Sequence, residues 1–176
     1  MKNQKGFTLI EVIVVAGIIA ILAGILVPLI FKEIDESKIS RAQADLRSIS
    51  SAMIVLKKDT GQWPVYDANC LANVTLLLGN GNIPNGAVAN GFDQTSEMLF
   101  DEPLSLHANS CYSNWKGPYI AIVTADPWGN AYITNAKEFP QTGSPVWIIS
   151  AGPNGQIDTN IASAQTSGDD IGFRLQ

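Results

Sequence analysis

The chain has 176 residues, which suits one globular domain with an additional terminal segment. It carries 16 acidic and 11 basic side chains, and the formal net charge is −5. After residue 60 the only basic side chains are Lys116, Lys137, Arg174 and, when protonated, His107. Nucleic-acid binding requires clustered Lys and Arg opposite phosphate groups, so the composition argues against a nucleic-acid partner.

The first predicted element is a membrane-spanning helix over 7–31. These 25 residues are apolar or uncharged except for one acid, and about 20 apolar residues suffice to span a bilayer. The leader before them, 1–6, carries Lys2 and Lys5 but no acid. The positive-inside rule therefore predicts a cytoplasmic leader and a single-pass protein whose remaining chain faces the outside of the inner membrane. The run is too long for the core of a signal peptide, and no A-x-A-like cleavage site follows it.

The one acid in this run, Glu11, is a functional candidate because a charge at bilayer depth costs roughly 2.5–3.5 kcal/mol. A cut after Gly6 would remove the lysines and free the α-amine of Phe7, the nearest natural cation. That amine could pair with Glu11 of the same helix or of a neighbouring copy. The second pairing would neutralise both charges on assembly and set the axial register. The alternative is a carboxylate that reaches the lipid headgroups.

The helix is predicted to continue over 32–60 as an amphipathic segment, followed by a globular domain over 61–176. Apolar residues recur there at spacings of three and four, namely Ile39, Ala42, Leu46, Ile49, Met53 and Leu56. This period predicts a helix face that is buried in the core. Lys57 and Lys58 followed by Gly61 predict the end of the helix.

The region 67–115 gives the weakest signal. Its two cysteines, Cys70 and Cys111, are expected to pair if the domain is exported, and a bridge would constrain the unfolded chain by roughly 3–4 kcal/mol. Two unrelated buried thiols are the alternative. We expect short helices at 71–78 and 97–106, with a Gly- and Asn-rich surface loop between them.

The segment 116–150 predicts three short strands, at 119–124, 131–134 and 145–150, which are rich in β-branched and aromatic residues. The turn at 126–130, DPWGN, suits a chain reversal. Three such strands would form an antiparallel meander that must bury one face. The sequence therefore predicts an α+β fold in which the long helix covers a small antiparallel sheet of about three strands.

The last segment, 150–176, is rich in oxygen donors, and we single out Ser150, Asn154, Asp158, Asp169 and Asp170. Calcium prefers six to eight oxygen ligands on a flexible loop, so Ca²⁺ is the one cofactor predicted. An Asx-rich loop held by its own hydrogen bonds is the alternative.

Enzyme activity is not predicted. The lone histidine, His107, has no nucleophile motif beside it. The sequence also contains no Walker loop, no zinc-ligand spacing and no G-x-S-x-G motif.

The hexapeptide GFTLIE at 6–11, followed by a long apolar run, resembles the signature of type IV prepilins and type II secretion pseudopilins. The resemblance implies that a prepilin peptidase cuts between Gly6 and Phe7 and that Phe7 is N-methylated. It also implies that Glu11 pairs with the N-terminus of a neighbouring subunit during assembly. The helix around Pro28 would then kink or melt locally in the filament, with a simple proline kink as the alternative.

The segments GPYI and DPWGNAY, at 117–120 and 126–132, resemble the core motif of the major pseudopilins of type II secretion. This implies the type IV pilin fold and a structural subunit of a helical filament, in the periplasm or at the cell surface, that drives folded proteins across the outer membrane. The implied partners are other copies of the chain, prepilin peptidase, minor pseudopilins, an inner-membrane assembly platform with its ATPase, and the lipid bilayer before assembly. The alternative is a type IV pilus subunit for adhesion, motility or DNA uptake, which the long region 67–115 keeps open.

The C-terminal segment resembles the calcium loop of the major pseudopilins, which reads roughly S-x-G-A-D-G…D-x-D-I. Ser150 begins the matching stretch, and the tetrapeptide GDDI at 168–171 ends it. Two departures weaken the match, because Asn154 replaces the first carboxylate and an insertion separates the two halves. Asp158 is the candidate to replace the lost charge.

Overall fold

The protein is described by a computed structural model that covers residues 6–106, 110–141 and 143–176. Lys2 and Lys5 of the leader and the lone His107 lie outside the described residues. The chain divides into two compact units, Met1–Ser37 and Lys38–Gln176. The first unit contains the apolar run and the second contains the sheet.

Helix α1 spans Leu9–Thr60 and has 52 residues, which confirms the prediction of one long helix. It remains helical through Pro28. Within the run at 7–31 the large apolar side chains are about half or more exposed, from 49% for Leu26 to 89% for Phe7. Among the described residues, α1 is the one helix long and apolar enough to cross a membrane.

In the second unit, α1 buries the predicted apolar stripe from Ala42 onwards, while Ile39 stays 36% exposed. The buried members are Ala42, Leu46, Ile49, Met53 and Leu56. The helix ends where Gly61 takes a φ of +76°, and Lys57 donates from Nζ to the Gly61 carbonyl at 2.6 Å.

The sheet has five strands in the order β2-β1-β3-β4-β5, not the three predicted. They are β1 Leu76–Leu78, β2 Glu97–Leu99, β3 Ile133–Thr134, β4 Trp147–Ser150 and β5 Ile171–Arg174. The pair β1 and β2 is parallel and the other pairs are antiparallel, so the sheet is mixed. The expected α+β class, with a long helix packed on a small sheet, is confirmed.

Three of these strands lie where the sequence predicted something else. Strand β1 lies within 71–78 and β2 within 97–106, two segments that were predicted to be helices. At the end of the second segment, Glu102–Leu106 forms one π-helical turn. Strand β5 lies in the predicted loop. The three leucines of β1 are all buried because both faces of the sheet are covered, and such a short apolar run does not distinguish strand from helix.

The predicted strand at 119–124 is wrong. Its backbone instead bonds to neighbouring loops, since Tyr119 N–H donates to the Leu104 carbonyl and Val123 N–H donates to Asp101 Oδ1, each at 2.8 Å. The Val123 carbonyl accepts the Asn80 N–H at 3.0 Å. These groups are satisfied without a sheet ladder.

Each face of the sheet packs on a separate apolar cluster. The face towards α1 includes Leu77, Tyr132 and Ile148 together with Leu46 and Met53. The opposite face includes Leu76, Ile133 and Ile149 together with Phe92 and Ile157 from the connecting loops. The acidic C-terminal segment is thereby anchored to the back of the sheet.

The cysteines form the predicted disulfide between Cys70 and Cys111, with a Cα–Cα distance of 5.2 Å. The bridge joins positions separated by 41 residues, and β1 and β2 lie between them. The region 67–115, where the sequence signal is weakest, therefore contributes one edge of the sheet.

Candidate functional site

The start of α1 holds its single carboxylate in a capping box. Thr8 is the residue before the helix, and both its backbone N–H and its hydroxyl donate to Glu11 Oε2, at 2.8 and 2.7 Å. Glu11 N–H donates back to Thr8 Oγ1 at 3.4 Å. This reciprocal pattern satisfies backbone donors that the first turn of a helix leaves unpaired. In the single subunit Glu11 is therefore hydrogen-bonded to its own helix start.

Thr8 was not among the predicted site residues. The signal was present, because Thr-x-x-Glu directly before an apolar run is the sequence pattern of a capping box. Gly6 and Phe7 precede this cap in exposed chain, and Phe7 is 89% exposed. The predicted cleavage position is accessible within the described residues.

Glu11 lies at one end of an exposed apolar helix face. That face is lined by Phe7, Val12, Val15, Ala16 and Ile19. A continuous apolar surface of this kind is stable in lipid or against another apolar helix, since exposure to water costs about 25 cal/mol for each Å². Glu11 is the one carboxylate that lines this face.

Among the predicted calcium ligands, Ser150 lies opposite Ile171 in the sheet, but its hydroxyl is bonded to a different carboxylate. Ser150 is buried and donates from Oγ to Asp126 Oδ2 at 2.6 Å. Asp126 also accepts the Trp128 and Asn130 N–H groups at 3.0 and 2.8 Å, which closes the DPWGN turn. The Ser150 hydroxyl therefore ties this turn to β4.

Asn154 sits between two carboxylates. Its backbone N–H donates to Asp169 Oδ2 at 2.9 Å, and its side-chain Nδ2 donates to Asp158 Oδ2 at 3.2 Å. Its own Oδ1 accepts the Gln156 N–H at 2.6 Å. The loop at 150–170 is thus folded back so that residues 154, 158 and 169 meet.

Asp170 is the buried member of this group, with 7% of its surface exposed. Its Oδ2 accepts the N–H groups of Asp158 and Thr159 at 2.9 and 2.7 Å, whereas Oδ1 is buried without a hydrogen-bond partner. Burial raises the pKa of the Asp170 carboxyl above its usual value. The hydrogen bonds that Asp170 accepts lower this pKa, whereas the negative charge of Asp158 raises it further. Asp170 Oδ1 is therefore the one buried carboxylate oxygen of this loop that lacks a hydrogen bond among the described residues.

The donors fit a hard cation only in part. The described residues contain no group of three or more His, Cys, Asp or Glu side chains placed to hold a metal ion. Asp158 and Asp170 would have to be supplemented by amide and backbone carbonyl oxygens, which calcium accepts readily. We refer to Asn154, Asp158, Asp169 and Asp170 as the acidic loop.

Comparisons with known proteins match two family models to separate parts of the chain. The family model described as the prokaryotic N-terminal methylation motif matches residues 1–27, and that of type II secretion system protein G matches 91–168. The type II secretion system core protein G of Pseudomonas aeruginosa is 30% identical over 88% of this chain and 87% of that protein. The core protein G of Klebsiella pneumoniae is 28% identical over 98% and 95%.

A pilin is also similar, but over less of its length. The toxin coregulated pilin of Vibrio cholerae is 31% identical over 63% of this chain and 50% of the pilin. No solved structure matches the chain significantly.

Proposed function

This chain belongs to the type II secretion system core protein G family, and on that premise we propose that its copies assemble into the helical pseudopilus that drives folded proteins across the outer membrane. The observation that carries the proposal is the exposed apolar half of α1 with Glu11 at its start. Such a helix is retained in the membrane as a monomer and packs against its neighbours in a filament. A contact that repeats head to tail without closing produces an open helix.

The proposed sequence of events begins in the inner membrane with the C-terminal domain in the periplasm. Prepilin peptidase cuts after Gly6, and Phe7 is N-methylated. Glu11 then exchanges its hydrogen bonds with Thr8 for the charged amine of Phe7 in an adjacent copy. An assembly platform with its ATPase supplies the energy, because the sequence has no nucleotide-binding motif.

The test uses a strain that lacks the gene, complemented with the wild type, Glu11→Gln or Glu33→Gln. Gln at position 11 keeps a hydrogen-bond acceptor for the cap but loses the charge. Glu33 is an exposed carboxylate of the same helix and serves as the matched control. We expect Glu11→Gln to leave cargo in the periplasm and no filaments by electron microscopy, with Glu33→Gln unaffected. Normal secretion with lost surface pili in the deletion strain would identify a pilus subunit instead.

We also propose that the acidic loop binds one calcium ion. Bound calcium would neutralise the carboxylates and tie the loop to the start of β5. The support is the buried, unpaired Asp170 Oδ1 together with two further acids, Asp158 and Asp169, in the same loop. Calcium at 100 times its Kd would stabilise the fold by about 2.7 kcal/mol, or roughly 5–10 °C in Tm. Equal Tm values for the full chain in detergent with calcium and with chelator would refute the proposal.

A further inference from the structure

We propose that Lys32 of one copy pairs with Glu36 of the adjacent copy and that this ion pair helps to set the axial register of the filament. The inference rests on the filament assembly proposed above and on the pairing of Glu11 with the Phe7 amine of a neighbour. It adds a second charged contact between the same two copies, in the segment that directly follows the apolar run at 7–31.

The spacing of charges along α1 is the first observation. Lys32 Nζ lies 3.6 Å from Glu36 Oε1 in the single chain, and the cation precedes the acid by four residues. Phe7, whose freed amine would be the cation at the start of the processed chain, also precedes Glu11 by four residues. Four residues of helix rise by about 6 Å.

One axial shift therefore serves both pairs. A displacement of about 6 Å between adjacent copies brings Phe7 of one copy level with Glu11 of the other. Copies related by one repeated operation are displaced by the same amount along their whole length. The shift that pairs Phe7 with Glu11 thus also brings Lys32 level with Glu36 of the same neighbour.

Glu11 and Glu36 also lie on the same face of α1. Both belong to the first unit and to one continuous helix, and the 25 positions between them correspond to about seven helical turns. In a helical filament every copy presents the same face to the central axis. A face that directs Glu11 towards the neighbouring N-terminus therefore also directs Glu36 towards the neighbouring Lys32.

The ion pair within one chain can be exchanged at little cost. The side chains of Lys32 and Glu36 are 72% and 58% exposed, and ion pairs with this exposure contribute little to stability. A cation that precedes an acid by four residues is also the less favourable of the two orders on a helix. Pairing with the neighbour consequently gives up little stabilisation within the chain.

A second pair with the same spacing is committed to its own chain. Arg41 Nε lies 3.6 Å from Asp45 Oδ2, but the same oxygen accepts the Tyr132 hydroxyl at 2.9 Å. Asp45 is thereby tied to the sheet that α1 covers. Of the two ion pairs within α1 among the described residues, only Lys32–Glu36 has both side chains more than half exposed.

The experiment uses the full chain in a strain that lacks the gene and measures cargo in the medium and filaments by electron microscopy. It compares Lys32→Glu, Glu36→Lys, the two variants expressed together, and Glu33→Lys. Each reversal alone places like charges at every proposed contact, so we expect both secretion and filaments to be lost. Glu33 is an exposed acid without a cation four residues before it, so Glu33→Lys is the matched control and should secrete as the wild type does.

Expression of the two reversals together separates a contact between copies from a contact within one chain. In the mixture each chain still carries like charges at positions 32 and 36, so the pair within the chain stays broken. Between the two kinds of copy, position 36 of one meets a position 32 of opposite charge in the other. We therefore expect the mixture to restore secretion above the level of either variant alone, and failure to do so overturns the inference.

Cysteine cross-linking gives a second readout that does not depend on charge. The two native cysteines are bonded to each other, so Lys32→Cys and Glu36→Cys copies expressed together should form a disulfide-linked dimer. Absence of that dimer in a strain whose wild-type chain secretes and forms filaments would overturn this inference and leave the proposed function intact. A wild-type chain that forms no filaments and is not needed for secretion would refute both. If the charge-reversal variants do not accumulate in the membrane, the cross-link decides.

Discussion

Removing the Cys70–Cys111 disulfide should lower the free energy of unfolding by about 4 kcal/mol. The bridge joins cysteines separated by 41 residues, and the chain-entropy relation for a closed loop of that length gives about 13 cal/mol/K, or about 4 kcal/mol at 25 °C. The entropy that the bridge removes from the unfolded state would be restored in a Cys70→Ala/Cys111→Ala variant. Loss of the bridge should affect β1 and β2 most, because both strands lie within the loop that it closes and form one edge of the sheet.

The assay is guanidinium unfolding of the full chain in detergent, followed by the fluorescence of its tryptophans, of which Trp147 is 4% exposed. Wild-type protein reduced with dithiothreitol serves as the control, because it loses the same bridge without any substitution. Both forms should unfold at lower denaturant concentration than the oxidised wild type. A loss below about 1 kcal/mol in both would refute the reasoning, since it would mean that the unfolded chain is already constrained without the bridge.

Two further predictions test the core and a surface ion pair. Leu77→Ala should lower the free energy of unfolding by about 2–5 kcal/mol, because this side chain is fully buried in the cluster facing α1. Leu99→Ala, at a position that is 39% exposed, should lower it by less than about 1 kcal/mol. Equal losses of unfolding free energy for the two variants in denaturant titrations would contradict the packing. The hydrogen bond from Lys137 lowers the pKa of Asp93 from 3.8 to about 2, so its stabilisation is present at neutral pH and lost as the pH falls from about 4 through 2. The Asp93→Asn variant should therefore lose less Tm than the wild type when the pH is lowered from about 4 to 2. If the variant and the wild type lose the same Tm over this pH range, the Lys137–Asp93 pair does not cause the loss.

The features that the sequence predicted well are local ones. The helix at Leu9–Thr60 follows from an apolar run and a stripe of period 3.6, both of which are complete within one segment. The disulfide follows from there being two cysteines, Cys70 and Cys111, in a domain expected to be exported. The position of Glu11 at the start of the helix follows from the spacing of a few adjacent residues.

The sheet was predicted poorly because strand pairing depends on distant residues. The segment 119–124 has good β propensity, yet Asp101 and Leu104 bind its backbone outside any sheet. Propensity for strands is overridden by such context more easily than propensity for helices. Conversely, β2 starts with Glu97, which has little strand preference, and is a strand because it pairs with β1.

The acidic loop shows the same contrast between what the local sequence predicts and what depends on distant contacts. The oxygen donors of this segment, Ser150 and the four residues of the acidic loop, can be identified from the sequence alone. Only the fold decides that Ser150 is bonded to Asp126 and that Asp158 lies on Gly168. No spacing rule predicts these contacts, since they join residues 10 or 24 positions apart.

The sequence by itself determined the long helix, its apolar half and the carboxylate at its start, because helical hydrogen bonds and side-chain periodicity connect residues only three or four positions apart. Only the tertiary structure decided which segments form the five strands and which carboxylates of the acidic loop meet. Both depend on contacts between residues far apart in the chain, whose free energy appears only when the sheet, the helix and the connecting loops pack together.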